Sequence, residues 1–183
     1  MCIATLASQS YELEQIASLS KENLRTYLSE EEKKSQGFIT WEYNLTMLEK
    51  MNAIAPAVIL KYNEEVVGYA LTAFKETISV QPELGPMIEH LETLSFKNKS
   101  MADYRYYIMG QVCIAKEHRG KGLFDMLYQY HKKVFQPQFD IVATEVSTSN
   151  HRSLRAHQKT GFQTIATYRD ELDEWDVVVW DWQ

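Results

Sequence analysis

Apolar residues recur along this 183-residue chain with two periods, and their alternation predicts a mixed α/β order. An apolar run from Ile3 to Leu6 reads as an opening strand. Ser10 follows as the expected N-cap, with Glu12 and Glu14 in the first turn. Leu13, Ile16, Ala17 and Leu24 keep helical spacing, so a first helix is expected to about Leu28. Glu30 to Lys34 reads as a solvated helix start. Beyond Gly37, the positions Phe38, Trp41, Leu45, Leu48 and Met51 predict a second amphipathic helix. Ala57 to Tyr62 and Val66 to Phe74 read as hairpin strands joined by Asn63-Glu64-Glu65. Gly68 inside the second strand predicts a bulge or a close backbone approach.

The pattern changes from Lys75 to Asp103. Pro82, Pro86, Met87, Ile88, Leu91 and Leu94 predict a short helix before a polar loop, an insertion placed to shape a cleft. Tyr104 to Ala115 is a long strand, and Leu123, Leu127, Tyr130 and Val134 give the next helix its buried face. Phe139 to Ser147 is a strand, Asn150 to Thr160 a helix, and Phe162 to Tyr168 and Val177 to Trp182 a closing pair. No repeat or interdomain linker interrupts residues 1–183, so a single domain is expected.

Composition narrows the setting. The chain is 45% hydrophobic and 24% charged, as ordinary globular proteins are. A formal net charge of -6 excludes a basic nucleic-acid footprint and favours a cationic partner. Cys2 and Cys113 offer no disulfide framework, and no run approaches membrane-spanning length, so a cytoplasmic protein is expected. Five scattered histidines lack metal-site spacing, so no metal is expected.

The candidate chemistry begins where the long strand ends. Val112-Cys113-Ile114 runs through a polar turn into Arg119-Gly120-Lys121-Gly122, and Leu123-Phe124 opens a helix. Glycines let a backbone approach a ligand closely, and a helix start offers unpaired N–H donors at a positive dipole end. Together they make an anion site suited to phosphate or pyrophosphate. A Walker loop is excluded because Gly122 follows Lys121, and a Rossmann fingerprint because Asp125 holds the third glycine position.

This loop, Glu117-His118-Arg119-Gly120-Lys121-Gly122, resembles the pyrophosphate loop of the GNAT superfamily of acetyl-coenzyme A-dependent N-acyltransferases, with Glu117 where Gln or Arg is usual. About thirty residues on, Asn150 to Gly161-Phe162 resembles the family's Asn, short helix and Gly-Phe. Read locally, Asn150 is also a good N-cap and Gly161 a good C-terminal stop. The resemblance implies a twisted mixed sheet of about seven strands with helices on both faces. Its two central parallel strands splay apart, one ending at Ala115 and one near Ser147. It implies acetyl-CoA or coenzyme A held by Val112, Cys113, Ile114, Arg119, Gly120, Lys121, Gly122, Leu123, Phe124, Asn150 and Ser153.

It further implies direct transfer of an acetyl group to a primary amine of a small molecule or peptide, with a homodimer left open. A free amine has a pKa of ~10.4, so its proton must be removed, and the departing thiolate must be stabilised. His157 stands where relatives place an acidic tyrosine, and is the candidate acid. The carboxylate that relatives carry on the strand is absent, since Gly110 and Gln111 hold those places. Glu145 is then the candidate base, with Asp103, Tyr106, Tyr107 or a water chain as alternatives. Aromatic faces for a cation are expected from Trp41 and Tyr43 on the second helix and from Tyr69 and Phe74. The rival readings are a coenzyme A-binding sensor or scaffold and, more remotely, a nucleotide-binding protein.

Overall fold

The computed structural model describes residues 1–183. Strand β1 (Ile3–Leu6) is followed by helices α1 (Ser10–Glu22), α2 (Glu30–Gln36) and α3 (Leu45–Ile54). Strands β2 (Val58–Tyr62) and β3 (Glu65–Ala73) form the hairpin, turned by Asn63 and Glu64 at positive φ. The insertion holds α4 (Leu84–Thr93) and a miniature hairpin, β4 (Ser95–Phe96) and β5 (Lys99–Ser100). Then come β6 (Tyr106–Ile114), α5 (Leu123–Phe135), β7 (Ile141–Ser147), α6 (His151–Thr160), β8 (Gln163–Arg169) and β9 (Glu174–Asp181). Seven strands form one sheet in the order β1-β2-β3-β6-β7-β9-β8.

Both sheet faces are covered. On one, Leu127, Tyr128 and Phe135 of α5 pack with Val58, Leu60 and Val142. On the other, Leu13, Ile16 and Leu19 of α1 and Leu48 and Met51 of α3 meet Ile59, Tyr69 and Leu71. Ile88 and Leu91 of α4 lie against Ile108, Ala143 and Val177. Burial of these apolar side chains is the main force holding the layers together.

The N-terminal third differs from its sequence pattern. Gln9, not Ser10, caps α1, because Glu12 folds back to accept the N–H groups of Ser8 and Gln9 at 2.8 and 3.0 Å. Helix α1 stops at Glu22, and Glu30 begins a separate helix capped reciprocally by Ser29 and Glu32. No helix runs from Phe38 to Leu45. Residues 37–43 are extended: Ile39 donates to Asn23 and accepts from Arg25, and the Trp41 carbonyl accepts from the Gln111 side chain at 2.8 Å. Helix α3 starts only where Asn44 caps Met47 N–H.

Gly68 marks both features expected of it. The β2–β3 register slips beside it, and an added Cβ would stand 2.6 Å from Ile114 Cδ1. A second irregularity lies in β6 at Gly110, between the Leu71–Gln111 and Thr72–Met109 pairs. Just there the two parallel strands part. Strands β6 and β7 pair only over Tyr106–Ile141, Tyr107–Val142 and Ile108–Ala143, and Thr144 Oγ1 donates to Met109 O at 2.8 Å at the fork. Beyond it, Gly110 to Ile114 and Glu145 to Ser147 face a gap instead of each other.

Candidate active site

The gap joins two cavities. The larger, about 720 Å³, opens over the glycine loop, and the smaller, about 340 Å³, lies between β6, β7, α4 and the β8–β9 turn. Phe38, Ile39, Val112, Asn150 and Ser153 line both, so the two cavities adjoin at the splay.

The larger cleft is built for an anion. Gly120 and Gly122 hold φ of +74° and +76°, and an added Cβ at either would meet nothing within 4 Å, so each presents bare backbone to open space. Gly122 is the N-cap of α5 and supplies no capping side chain. The amide N–H groups of Gly120, Lys121, Gly122, Leu123, Phe124 and Asp125 find no acceptor within the protein. Such a run of free donors at a helix start fits a pyrophosphate. Ala115 N–H bonds back to Val67 O, so by alternation the N–H groups of Val112 and Ile114 point away from β3, into the gap.

Of the residues expected here, Val112, Cys113, Ile114, Arg119, Gly120, Gly122, Leu123, Phe124, Asn150 and Ser153 line the cleft. The Lys121 side chain is a correction: it is exposed and outside the lining, leaving only its amide to the cradle. Two other side chains are committed elsewhere. Arg119 donates to Ile114 O at 2.8 Å, Gln36 Oε1 at 3.1 Å and Asn23 Oδ1 at 2.5 Å. The Asn150 amide caps Ser153 N–H and donates to Phe38 O at 2.9 Å. Both therefore pin the extended 37–43 segment and α2 across the cleft. Burial pushes the Cys113 thiol up to about 12, which keeps it protonated at neutral pH.

Sequence reasoning missed Asn23, Gln36, Gly37, Phe38 and Ile39, which reach the cleft only through tertiary folding. It also missed Arg152, Arg155 and Lys159, which supply the cleft with positive charge from α6. Their i, i+3, i+7 spacing placed them on one helix face, and that was the available signal.

The smaller pocket carries the opposite charge. Glu83, Glu145 and Asp170 line it, and no Lys or Arg does. Burial pushes the Glu145 carboxyl up to about 7, with the nearby Asp170 charge adding to the rise and Tyr168 opposing it. Its Oε1 is buried without a hydrogen-bond partner, as is Nε2 of His90, whose ring lies 4.3 Å from that of Tyr168. Asp170 stays below the ordinary carboxylate range; burial pushes it up, and the N–H donors of Asp173 and Leu172 oppose that. Of the other candidate bases, Asp103 is exposed outside the pocket. Tyr106 is bonded to Glu92 at 2.8 Å, and Tyr107 to His131 at 3.1 Å.

His157 reaches this wall with both ring nitrogens occupied. Nδ1 lies 2.8 Å from Ser153 O, which can only accept, so Nδ1 carries the proton and Nε2 accepts from Tyr128 OH at 2.7 Å. Burial lowers its pKa to about 4, so the ring is neutral at neutral pH. Its geometry differs from that expected of an acid facing a thiolate: neither nitrogen has a proton free to give. The aromatic expectation also narrows. Tyr43 is held by Gln81 and Tyr69 by Gln111, both fully buried, and Phe74 packs on Tyr107, Phe135 and Phe139. Of the four, Trp41 alone stays open at the pocket, 40% exposed.

A splayed mixed sheet with a backbone anion cradle on one side and a carboxylate pocket on the other defines a transferase of the acyl-coenzyme A-dependent kind. The sequence profile of the acetyltransferase (GNAT) family matches residues 11–162, and the chain belongs to that family. No curated protein matches the sequence. Among solved structures, a GNAT-family acetyltransferase from Streptococcus agalactiae superposes with a TM-score of 0.68 at 15% identity, covering 100% of this chain and 96% of that one. The ribosomal-protein-S18-alanine N-acetyltransferase of Escherichia coli gives 0.65 at 9% identity, over 99% and 94%. The yncA protein of Salmonella typhimurium, solved with its cofactor acetyl-CoA, gives 0.64 at 14%, over 100% and 94%. At these identities the likeness is one of fold. The chain is thus a GNAT acetyltransferase, and the family's acyl donor is acetyl-CoA.

Proposed function

We propose that residues 1–183 act as one N-acetyltransferase domain that moves an acetyl group directly to a primary amine of a small molecule or peptide, with Glu145 as the base. The observation that carries this reading is the β6–β7 gap, which sets a backbone cradle for phosphate against a pocket holding a carboxyl group whose pKa burial raises to about 7. The amides of Gly120 to Asp125 would hold the pyrophosphate of acetyl-CoA, with Arg152, Arg155 and Lys159 adding positive charge. Bound there, acetyl-CoA supplies an activated thioester. The N–H groups of Val112 and Ile114 are the donors available to polarise a carbonyl in the gap.

Glu145 then has a pKa matched to its task. A carboxylate with its pKa raised toward neutrality accepts a proton from an ammonium more readily than an ordinary one. His157 serves as a positioning residue: its Nδ1–H holds the Ser153 carbonyl and its Nε2 fixes Tyr128, between the two cavities. Direct transfer suits the protonated state of Cys113, the one thiol in the cleft. No helix is long and apolar enough to cross a membrane. Both cysteines are free, which favours a reducing cytoplasm as the working compartment.

Calorimetric titration of acetyl-CoA, followed by thiol release with a panel of amines and an alcohol control, tests the proposal. Binding with amine-dependent thiol release is expected. Turnover only with the alcohol refutes N-acetylation, and binding without turnover leaves a coenzyme A-binding module.

A further inference from the structure

We infer that the acceptor is a polycation: a small amine whose reacting nitrogen and at least one further ammonium are separated by an apolar spacer, with no carboxylate. This rests on the acetyltransferase reading above and narrows it. Three arrangements in the smaller pocket carry it.

The first is depth. Glu145 sits on β7 at the fork, whereas Glu83 before α4 and Asp170 in the β8–β9 turn are exposed at the mouth. One ammonium can therefore reach Glu145 while a second stays beside the outer carboxylates. The second is an unmet acceptor. Buried Glu145 Oε1 has no donor from the protein, and an ammonium brings donors only. The third is the apolar part of the lining. Trp41 and Leu172, 40% and 59% exposed, offer apolar surface to a methylene spacer and an aromatic face to a cation. With no Lys or Arg in the lining, the carboxylate of an amino acid would meet only like charge.

The test compares acceptors of one length that differ at the far end: 1,4-diaminobutane, 1-aminobutane and 4-aminobutanoate, with an alanine-led tripeptide as a fourth. The full chain and acetyl-CoA are used, reading kcat/KM by thiol release. The diamine is expected to lead the monoamine by about tenfold and the amino acid by more, as one charge pair near a protein surface allows. Raising salt should shrink the diamine's lead, since the outer carboxylates are exposed. The double variant Glu83→Gln, Asp170→Asn should bring the diamine-to-monoamine ratio toward one. Asparagine keeps the oxygen that accepts Leu172 and Asp173 N–H groups, so the turn is retained.

Equal or better turnover of 4-aminobutanoate or the tripeptide overturns the polycation assignment but leaves N-acetylation standing. So does a diamine lead that survives in the double variant. No thiol release with any amine, despite acetyl-CoA binding, overturns both.

Discussion

The two cavities on either side of the β6–β7 gap share five lining residues, yet they recognise opposite charge by different means. The larger cleft offers free backbone N–H groups from Gly120 to Asp125, with Arg152, Arg155 and Lys159 in its lining. The smaller pocket carries side-chain carboxylates at two depths and no Lys or Arg. A backbone cradle depends on conformation, so its chemistry survives most changes except at Gly120 and Gly122. A carboxylate pocket depends on identity and burial, so one isosteric change alters it.

The sharpest way to break this contrast is Glu145→Gln. It should lower kcat by roughly 10²–10⁴-fold while acetyl-CoA affinity, measured by calorimetry, stays within about twofold. In the parent, kcat/KM should rise as pH passes about 7 and Glu145 loses its proton, a limb absent from the variant. Stability carries the opposite sign. The folded carboxyl titrates higher than the unfolded one, so the folded state holds the extra proton and loses stability as pH rises from about 4.5 through about 7. The glutamine variant should therefore unfold at higher temperature than the parent at pH 8, an advantage that fades by pH 4.5.

Gly122→Val attacks the other side. A side chain at φ +76° is strained and stands where the pyrophosphate approaches, so acetyl-CoA binding should weaken by roughly 100-fold with little change in far-ultraviolet circular dichroism. Unaltered affinity would remove the cradle from the site. Arg155→Ala should weaken binding by only about tenfold and flatten its salt dependence, because the α6 charges act through a solvated cleft.

The smallest effect on turnover is expected from His157→Phe. The substitution leaves the buried Tyr128 OH without its acceptor, so it should cost about 1–3 kcal/mol in denaturant unfolding while kcat falls by less than about threefold. A hundredfold fall in kcat with stability intact would restore His157 as a proton donor.

Local pattern and tertiary structure parted at identifiable places. From β2 through β9 the longer elements fell where periodicity put them, because each is bounded by turn residues; only the two-residue strands β4 and β5, in the expected polar loop, were not signalled. Phe38, Trp41 and Leu45 kept helical spacing too, yet 37–43 is extended. The hydrogen bonds from Asn23, Arg25 and Gln111 that hold it come from elements far away in sequence. Gln111 shows the same limit in the site. It occupies a place where a carboxylate was sought, and only an amide can accept from Tyr69 and Ser20 while donating to the Trp41 carbonyl.

By itself the sequence determined the mixed sheet, the glycine cradle and the Asn150–Phe162 helix, since each is written in contiguous residues whose backbone preferences are local. Tertiary structure decided which charges meet. The splay at Gly110 and Thr144 sets Glu145 into a pocket where burial, not neighbouring sequence, raises its pKa. The crossing of residues 37–43 over the cleft spends Arg119 and Asn150 on structure. A buried pair on α5 and α6 spends His157 likewise. Desolvation and hydrogen-bond partnership depend on what packs against a group from distant parts of the chain, and that is settled only when the layers close.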